Sequence, residues 1–405
     1  MRTPLPPDGL IEGISSDIDP FGDEFLRNPW PYLEELREIA PVVYFPKYRV
    51  WGVARHEEVT EVLRDFTTYS SAAGVGYTNM LRDKPWRVPS IILEADPPLH
   101  SKTRRIVSKV LTSSALARLK TTFEERAFEL VDQLLERGRF DAISDLAEEF
   151  PLAVFPDSVG LQPGSRQNLL RYGAMVFNGH GPRNHIFEEA MKDTDEVRDW
   201  VNAQCSREML APDGFGEQIY RSVDTGELTE EEAGLLVRSF LSAGVDTTVN
   251  ALGFAVLDFA RNPEQWAELR ADPSLARDAF EEVVRLEAPV AAFFRTTTRP
   301  TEISGVSIPA DAKLLVFFAG ACRDPRRWDN PDSFEIHRHP VGHTGFGSGI
   351  HSCVGAMVAR LEGEVLLGVL AKRVKRIELA GEPKVRLNNT LRGLKSLPVR
   401  IYADD

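Results

Sequence analysis

Cys353 stands in the run Phe346-Gly347-Ser348-Gly349-Ile350-His351-Ser352-Cys353-Val354-Gly355, a glycine-rich loop leading directly into a segment of helical character. Backbone N–H groups of such a loop and helix start point at the sulfur, and the positive end of the helix dipole favours its thiolate. A thiolate held this way is a soft, electron-rich ligand suited to haem iron, where it pushes electron density toward O–O cleavage. Glycines at these positions allow a flat macrocycle to approach the backbone. The alternative is a buried cysteine that only packs in a helix-start turn.

A second set of polar groups sits on a long apolar segment. Thr229-Glu230-Glu231-Glu232 forms a capping box, and helical periodicity runs from it to Arg261, ahead of Asn262-Pro263. Such a helix spans on the order of 45 Å, enough to cross a domain. Its apolar character nearly all round predicts burial. Yet Ser239, Ser242, Asp246, Thr247 and Asn250 fall within an arc of roughly 140° at about 100° per residue. That stripe is either a solvated face or the lining of an internal site.

Other elements follow from periodicity and punctuation. Pro29-Trp30-Pro31 opens a helix through Leu33, Leu36 and Ile39 that stops at Pro41. Val42 to Val53, broken near Pro46-Lys47, predicts a hairpin, and Arg55 to Asp65 a helix. Thr112 to Glu136 is helical in pattern, and strand character returns at Leu314–Phe318 and Leu397–Ile401. The fold class is therefore mainly α with a minor β-sheet region. No linker, low-complexity run or internal repeat marks a boundary, so residues 1–405 are expected to form a single domain.

The spaced pattern F-x-x-G-x-H-x-C-x-G resembles the haem-binding loop of the cytochrome P450 superfamily. The likeness covers nearly the whole chain, ending with Arg392-Gly393-Leu394-Lys395-Ser396-Leu397-Pro398-Val399. It implies the cytochrome P450 fold, with the long central helix crossing a haem b whose iron is ligated by Cys353. Ala243-Gly244-Val245-Asp246-Thr247-Thr248 is similar to the family's oxygen-activating motif. The resemblance makes Thr247 the alcohol and Asp246 the carboxylate of a proton relay, with Gly244 leaving room for dioxygen; a Thr247 that only back-bonds to a helix carbonyl is the alternative. By the same likeness His100, Arg104, Arg295 and His351 reach the haem propionates. Glu282-Val283-Val284-Arg285 resembles the family's buried acid–base pair, locked with Arg338, where spacing alone allows an ordinary surface pair. Ala321-Cys322-Arg323 departs from the family, which usually has Asn before the Arg; Cys322 is expected to be a packing substitution.

Lys84-Pro85-Trp86-Arg87-Val88-Pro89-Ser90 looks like the subfamily that oxidises para-substituted benzoates, as do Leu236-Val237-Arg238-Ser239 with Ser242, Phe293-Phe294-Arg295-Thr296-Thr297-Thr298 and Leu387-Asn388-Asn389-Thr390-Leu391-Arg392-Gly393. A small aromatic acid needs one end anchored and the other aimed at the iron. Arg87, Ser90, Ser239 and Ser242 offer charge-assisted hydrogen bonds to a carboxylate, with Arg238 in support. Ile92, Phe177, Ala243, Val290 and Phe293 are expected to wall the ring. The expected reaction is oxidation at the para substituent, foremost O-demethylation of 4-methoxybenzoate. His180 departs from the hydrocarbon ring usual in that subfamily, so the para end of the pocket or its access path is expected to be more polar. Another small acidic aromatic, such as a cinnamate, is the alternative substrate, and a non-catalytic haem sensor or carrier the alternative class.

Composition sets the partners. The chain has 405 residues and a net charge of −13, which argues against general affinity for nucleic acid or anionic membrane. Cys205, Cys322 and Cys353 show neither disulfide framework nor zinc spacing, as fits a reducing compartment. Met1 to Ser16 has no leader pattern, and no run of about 18 apolar residues is evident, so a cytoplasmic protein of the soluble bacterial type is expected. No flavin or iron–sulfur segment is fused, so electrons are expected from a ferredoxin with its reductase and NAD(P)H. Lys102, Arg105 and Lys109, spaced i, i+3, i+7, offer a basic face for an acidic ferredoxin or simply a solvated one.

Overall fold

The computed structural model describes residues 14–404. The expectation about the chain's start falls mostly on residues 1–13, outside the described part. Helices dominate and the sheets are small, as expected. The hairpin forms from Val43–Phe45 and Val50–Val53, pairing Val43 with Gly52. It continues into a five-stranded sheet, because Val50–Val53 runs parallel to Lys313–Phe317, which pairs antiparallel with Ala292–Thr297. Alternation along Ala292–Thr297 puts Phe293 and Arg295 on one face and Phe294 on the other, where Phe294 joins the core.

Helix ends follow local chemistry. Trp30–Ile39 has Pro at its start and breaks before Pro41. Ser113–Arg137 is capped by the Thr112 side chain, which accepts from Ala115 N–H, and stops at Gly138 with positive φ. The Thr229 box forms as expected, its hydroxyl accepting from Glu232 N–H while Glu232 accepts from Thr229 N–H.

The central element departs from the expected continuous helix. It is divided into Glu230–Ala243 and Asp246–Arg261 at Gly244–Val245. At the break the Thr247 hydroxyl donates to the Ala243 carbonyl at 2.9 Å, a side-chain intrusion of the kind that bends helices. The glycine there serves packing. A Cβ on Gly244 would run into the Phe155 ring, and Gly244 also lines the main cavity described below.

Against expectation, the stretch Glu230–Arg261 is long and apolar enough to cross a membrane, with a mean hydropathy of 1.4 in its most apolar window. That window is 72% buried inside the protein, so its apolar surface serves the core. From Val249 to Leu257 it packs against Ile143, Phe280 and Leu366 among others in the largest hydrophobic cluster.

Candidate functional site

A cavity of about 260 Å³ lies between the central helix, the Ala292–Thr297 strand and the Cys353 loop. It is lined by Cys353, Arg104, Arg295, His351 and Thr247. Every residue expected to touch substrate lines it as well: Arg87, Ser90, Ile92 and Phe177 from one side, and Ser239, Ser242, Ala243, Val290 and Phe293 from the other. His100 and Asp246 do not line it.

Beside the cavity, cationic and imidazole groups gather around little opposing charge. His100 and Arg104 sit one turn apart on the Leu99–Val110 helix. The His100 and His351 rings stand 4.3 Å apart between centroids, and the Nε2 of each is buried without a partner. Burial first, then Arg295, His100 and Arg104, push the His351 imidazole down to about 3. Burial also lowers Arg295 to about 10, partly offset by Asp96, and lowers His100 and Arg104. Such a cluster is costly on its own and is relieved by anions. Two orphaned ring nitrogens, each able to take the donor role, beside two arginines fit the paired propionates of a haem.

The Cys353 loop is shaped by hydrogen bonds and handedness. Cys353 N–H donates to Phe346 O at 2.8 Å and Gly347 N–H to Thr344 O at 2.8 Å. Gly347 and Gly349 have φ of 70° and 69°, the left-handed region that side chains disfavour. Cys353 is accessible, but to the cavity it lines; the surrounding protein otherwise encloses the sulfur. Burial pushes its thiol up, outweighing the pull of Gly355 and Ala356 N–H groups, Arg104 and Arg360. The loop dipoles therefore act in the expected direction without prevailing on their own. A thiol facing an internal space opposite unmatched cations is a donor set that suits haem.

The polar end of the cavity is built differently from the expectation. Arg87 is already paired: its Nη1 and Nη2 each donate to Glu94 at 2.9 Å. The side chains are 8% and 0% exposed, so the ion pair is buried. Burial raises the Glu94 carboxyl, but Arg87 and the Ser90 N–H outweigh it and leave it lowered. The three serine hydroxyls are held by one another and by the backbone. Ser90 and Ser239 hydroxyls lie 3.3 Å apart, Ser239 donates to Leu235 O and Ser242 to Ser239 O. Arg238 holds the loop by donating to Val88 O, the supporting position expected.

The polar stripe is split. Ser239, Ser242 and Thr247 face the main cavity, whereas Asp246 and Asn250 line a second one of about 330 Å³ with Asn178, His185, Glu189 and Arg386. The Asp246 carboxyl lies over Gly173, whose added Cβ would come within 2.5 Å of Oδ2. Its Oδ1 is buried without a partner. Burial raises the carboxyl to about 7, with Arg386 opposing and Glu148 reinforcing.

Around the site, the Glu282–Arg285 pair is fully buried rather than superficial. Arg285 Nε donates to Glu282 at 2.7 Å, and Arg338 Nε joins at 3.0 Å. Cys322 is buried against the Thr344 hydroxyl at 3.4 Å, as a packing substitution would be, and its carbonyl accepts from Arg285. The basic face is largely neutralised, because Lys102 pairs with Glu232 and both Arg105 and Lys109 pair with Glu227. Glu94 was missed as a site residue. A lone acid closing the apolar run Ile91-Ile92-Leu93, seven residues after Arg87, was its signal.

The family model for cytochrome P450 matches residues 181–384. The chain is 54% identical over 385 residues to cytochrome P450 CYP199A2 of Rhodopseudomonas palustris, covering 95% of this chain and 93% of that protein. It is 32% identical over 410 residues to cytochrome P450 107B1 of Saccharopolyspora erythraea, covering 96% and 99%. Among solved structures, CYP108D1 from Novosphingobium aromaticivorans superposes with a TM-score of 0.84 at 28% identity, covering 99% of this chain and 100% of that one. CYP109Q5 from Chondromyces apiculatus gives 0.82 at 31%, covering 96% and 99%. With these likenesses over the cradle of cations, the thiol loop and the whole fold, the chain belongs to the cytochrome P450 family, haem-thiolate monooxygenases.

Proposed function

We propose that the protein oxidises the para substituent of a small aromatic carboxylate, foremost converting 4-methoxybenzoate to 4-hydroxybenzoate and formaldehyde. The observation that carries this reading is the cavity's division into a serine-edged polar end and apolar walls. Ser90, Ser239 and Ser242 turn their hydroxyls onto the substrate carboxylate, and the Arg87–Glu94 pair fixes the loop that carries Ser90. Ile92, Phe177, Ala243, Val290 and Phe293 hold the ring and exclude water around it.

Haem bound through the Cys353 thiolate supplies the activation of dioxygen, with His100, Arg104, Arg295 and His351 holding its propionates. Asp246, raised to about 7, carries a proton near neutral pH and passes it toward the Thr247 hydroxyl, which leaves the Ala243 carbonyl to hand it on. Hydroxylation of the methoxy carbon gives a hemiacetal that collapses to the phenol and formaldehyde. Two electrons come from a ferredoxin with its reductase and NAD(P)H, in the cytoplasm.

Titrating the haem-loaded protein with 4-methoxybenzoate tests the reading. A Soret shift to the high-spin position, with formaldehyde formed under a reconstituted electron supply, is expected. No shift at millimolar acid overturns the substrate. A shift without product returns the protein to the binding class.

A further inference from the structure

His180 follows the Asn168–Asn178 helix and lines the main cavity. Only 4% of its surface is exposed, and its Nε2 is buried with no hydrogen-bond partner. The ring stands edge-on to two expected wall residues, 6.2 Å from Phe177 and 5.5 Å from Phe293 between centroids. Its backbone is pinned. His180 O accepts from Tyr77 N–H at 2.7 Å, and a Cβ on Gly76 would come within 2.7 Å of His180 Cα. The imidazole therefore holds its place against the ring walls, and an orphaned polar atom there asks for a ligand group.

The surroundings state what kind of group. The neighbouring carboxylate, Glu94, is occupied by Arg87, and the neighbouring Lys313 ammonium donates to Ala73, Gly74 and Gly76 carbonyls. Burial, reinforced by Arg87 and Lys313 and opposed by Glu94, pushes His180 down to about 4, so the ring is uncharged at neutral pH. A neutral imidazole nitrogen offers either one hydrogen or one lone pair. A hydroxyl complements both cases and an ether oxygen only one, whereas a charged substituent would be desolvated against an uncharged ring.

We propose that His180 is a specificity-determining residue that hydrogen-bonds an uncharged hydroxyl on the substrate ring, selecting ring-hydroxylated aromatic acids. This rests on the reading of the substrate as a small aromatic carboxylate. The test is spectral titration of the haem-loaded protein with 4-methoxybenzoate and its 2-hydroxy and 3-hydroxy derivatives, for wild type, His180→Phe and His180→Gln. Wild type is expected to bind one hydroxylated isomer about tenfold tighter than the parent acid. His180→Phe is expected to erase that preference and His180→Gln to keep part of it. A wild type without preference, or a His180→Phe variant with the wild-type ratio, overturns the role of His180 alone. Should no benzoate bind wild type, the substrate reading falls with it. Should His180→Phe fail to fold, the wild-type panel and the His180→Gln ratio decide.

Discussion

Arg87 and Glu94 grip each other through two parallel hydrogen bonds of 2.9 Å in a nearly dry setting. The cation that the sequence offers to a substrate carboxylate is thus already neutralised, and its first task is to hold the loop. Arg87→Ala strands a buried carboxylate and is expected to cost about 3–5 kcal/mol of stability, whereas Arg87→Leu with Glu94→Leu recovers most of the loss. Denaturant midpoints of the single and double variants check this.

Asp246 is expected to destabilise the folded chain as pH rises. Its ordinary value is 3.8 and burial raises it to about 7, so between those values the folded state holds a proton that the unfolded state has released. Stability falls with rising pH across that window, and the penalty is complete above it. Asp246→Asn is therefore expected to match wild type at the acid end and to melt higher above pH 7, by at most about 4 kcal/mol. The same variant slows product formation roughly hundredfold if the carboxyl relays protons.

His100 and His351 are expected to hold the cofactor rather than the fold. With their Nε2 atoms unpartnered, replacement by Leu is expected to remove a hydrogen bond offered to a propionate, His100 also giving up its backbone hydrogen bond with Ile350. Haem release to an acceptor protein is expected to quicken roughly ten- to hundredfold, while the apoprotein's melting temperature holds or rises.

A third group of ionisable residues bears on pH. Burial lowers His343, but its hydrogen bonds to Cys322 and Glu281 prevail and raise it to about 9, while His343 and Arg360 outweigh burial and take Glu281 down to about 2. The His343 contribution is fully present below its ordinary 6.5 and is lost as pH rises through about 9. The Glu281 contribution is present above 4.5 and lost as pH falls through about 2. His343→Gln is expected to melt below wild type at pH 6.5 and to converge with it above pH 9. Melting curves across that range test it.

Much of this was legible in the chain because it is local. The Cys353 loop is contiguous, so ligand, glycines and following helix are read together; the Thr229 box and the Pro41 stop mark their helix ends by the same logic. What could not be read lies in contacts between distant segments. Phe155 fills the notch at Gly244, Gly173 makes room for Asp246, and Glu227 takes up Arg105 and Lys109. Wheel arithmetic is also too coarse here, because Asp246 and Thr247 are neighbours on the one helix Asp246–Arg261. A stripe drawn at about 100° per residue joins Thr247 and Asp246 on one face, whereas the structure turns them to separate spaces.

The two hollows share no lining residue, and the chain parts them at consecutive positions, 246 and 247. On the proposed reading, an aromatic acid seated in the first leaves the second clear, so that a proton bound at the Asp246 carboxyl need not share the guest's space.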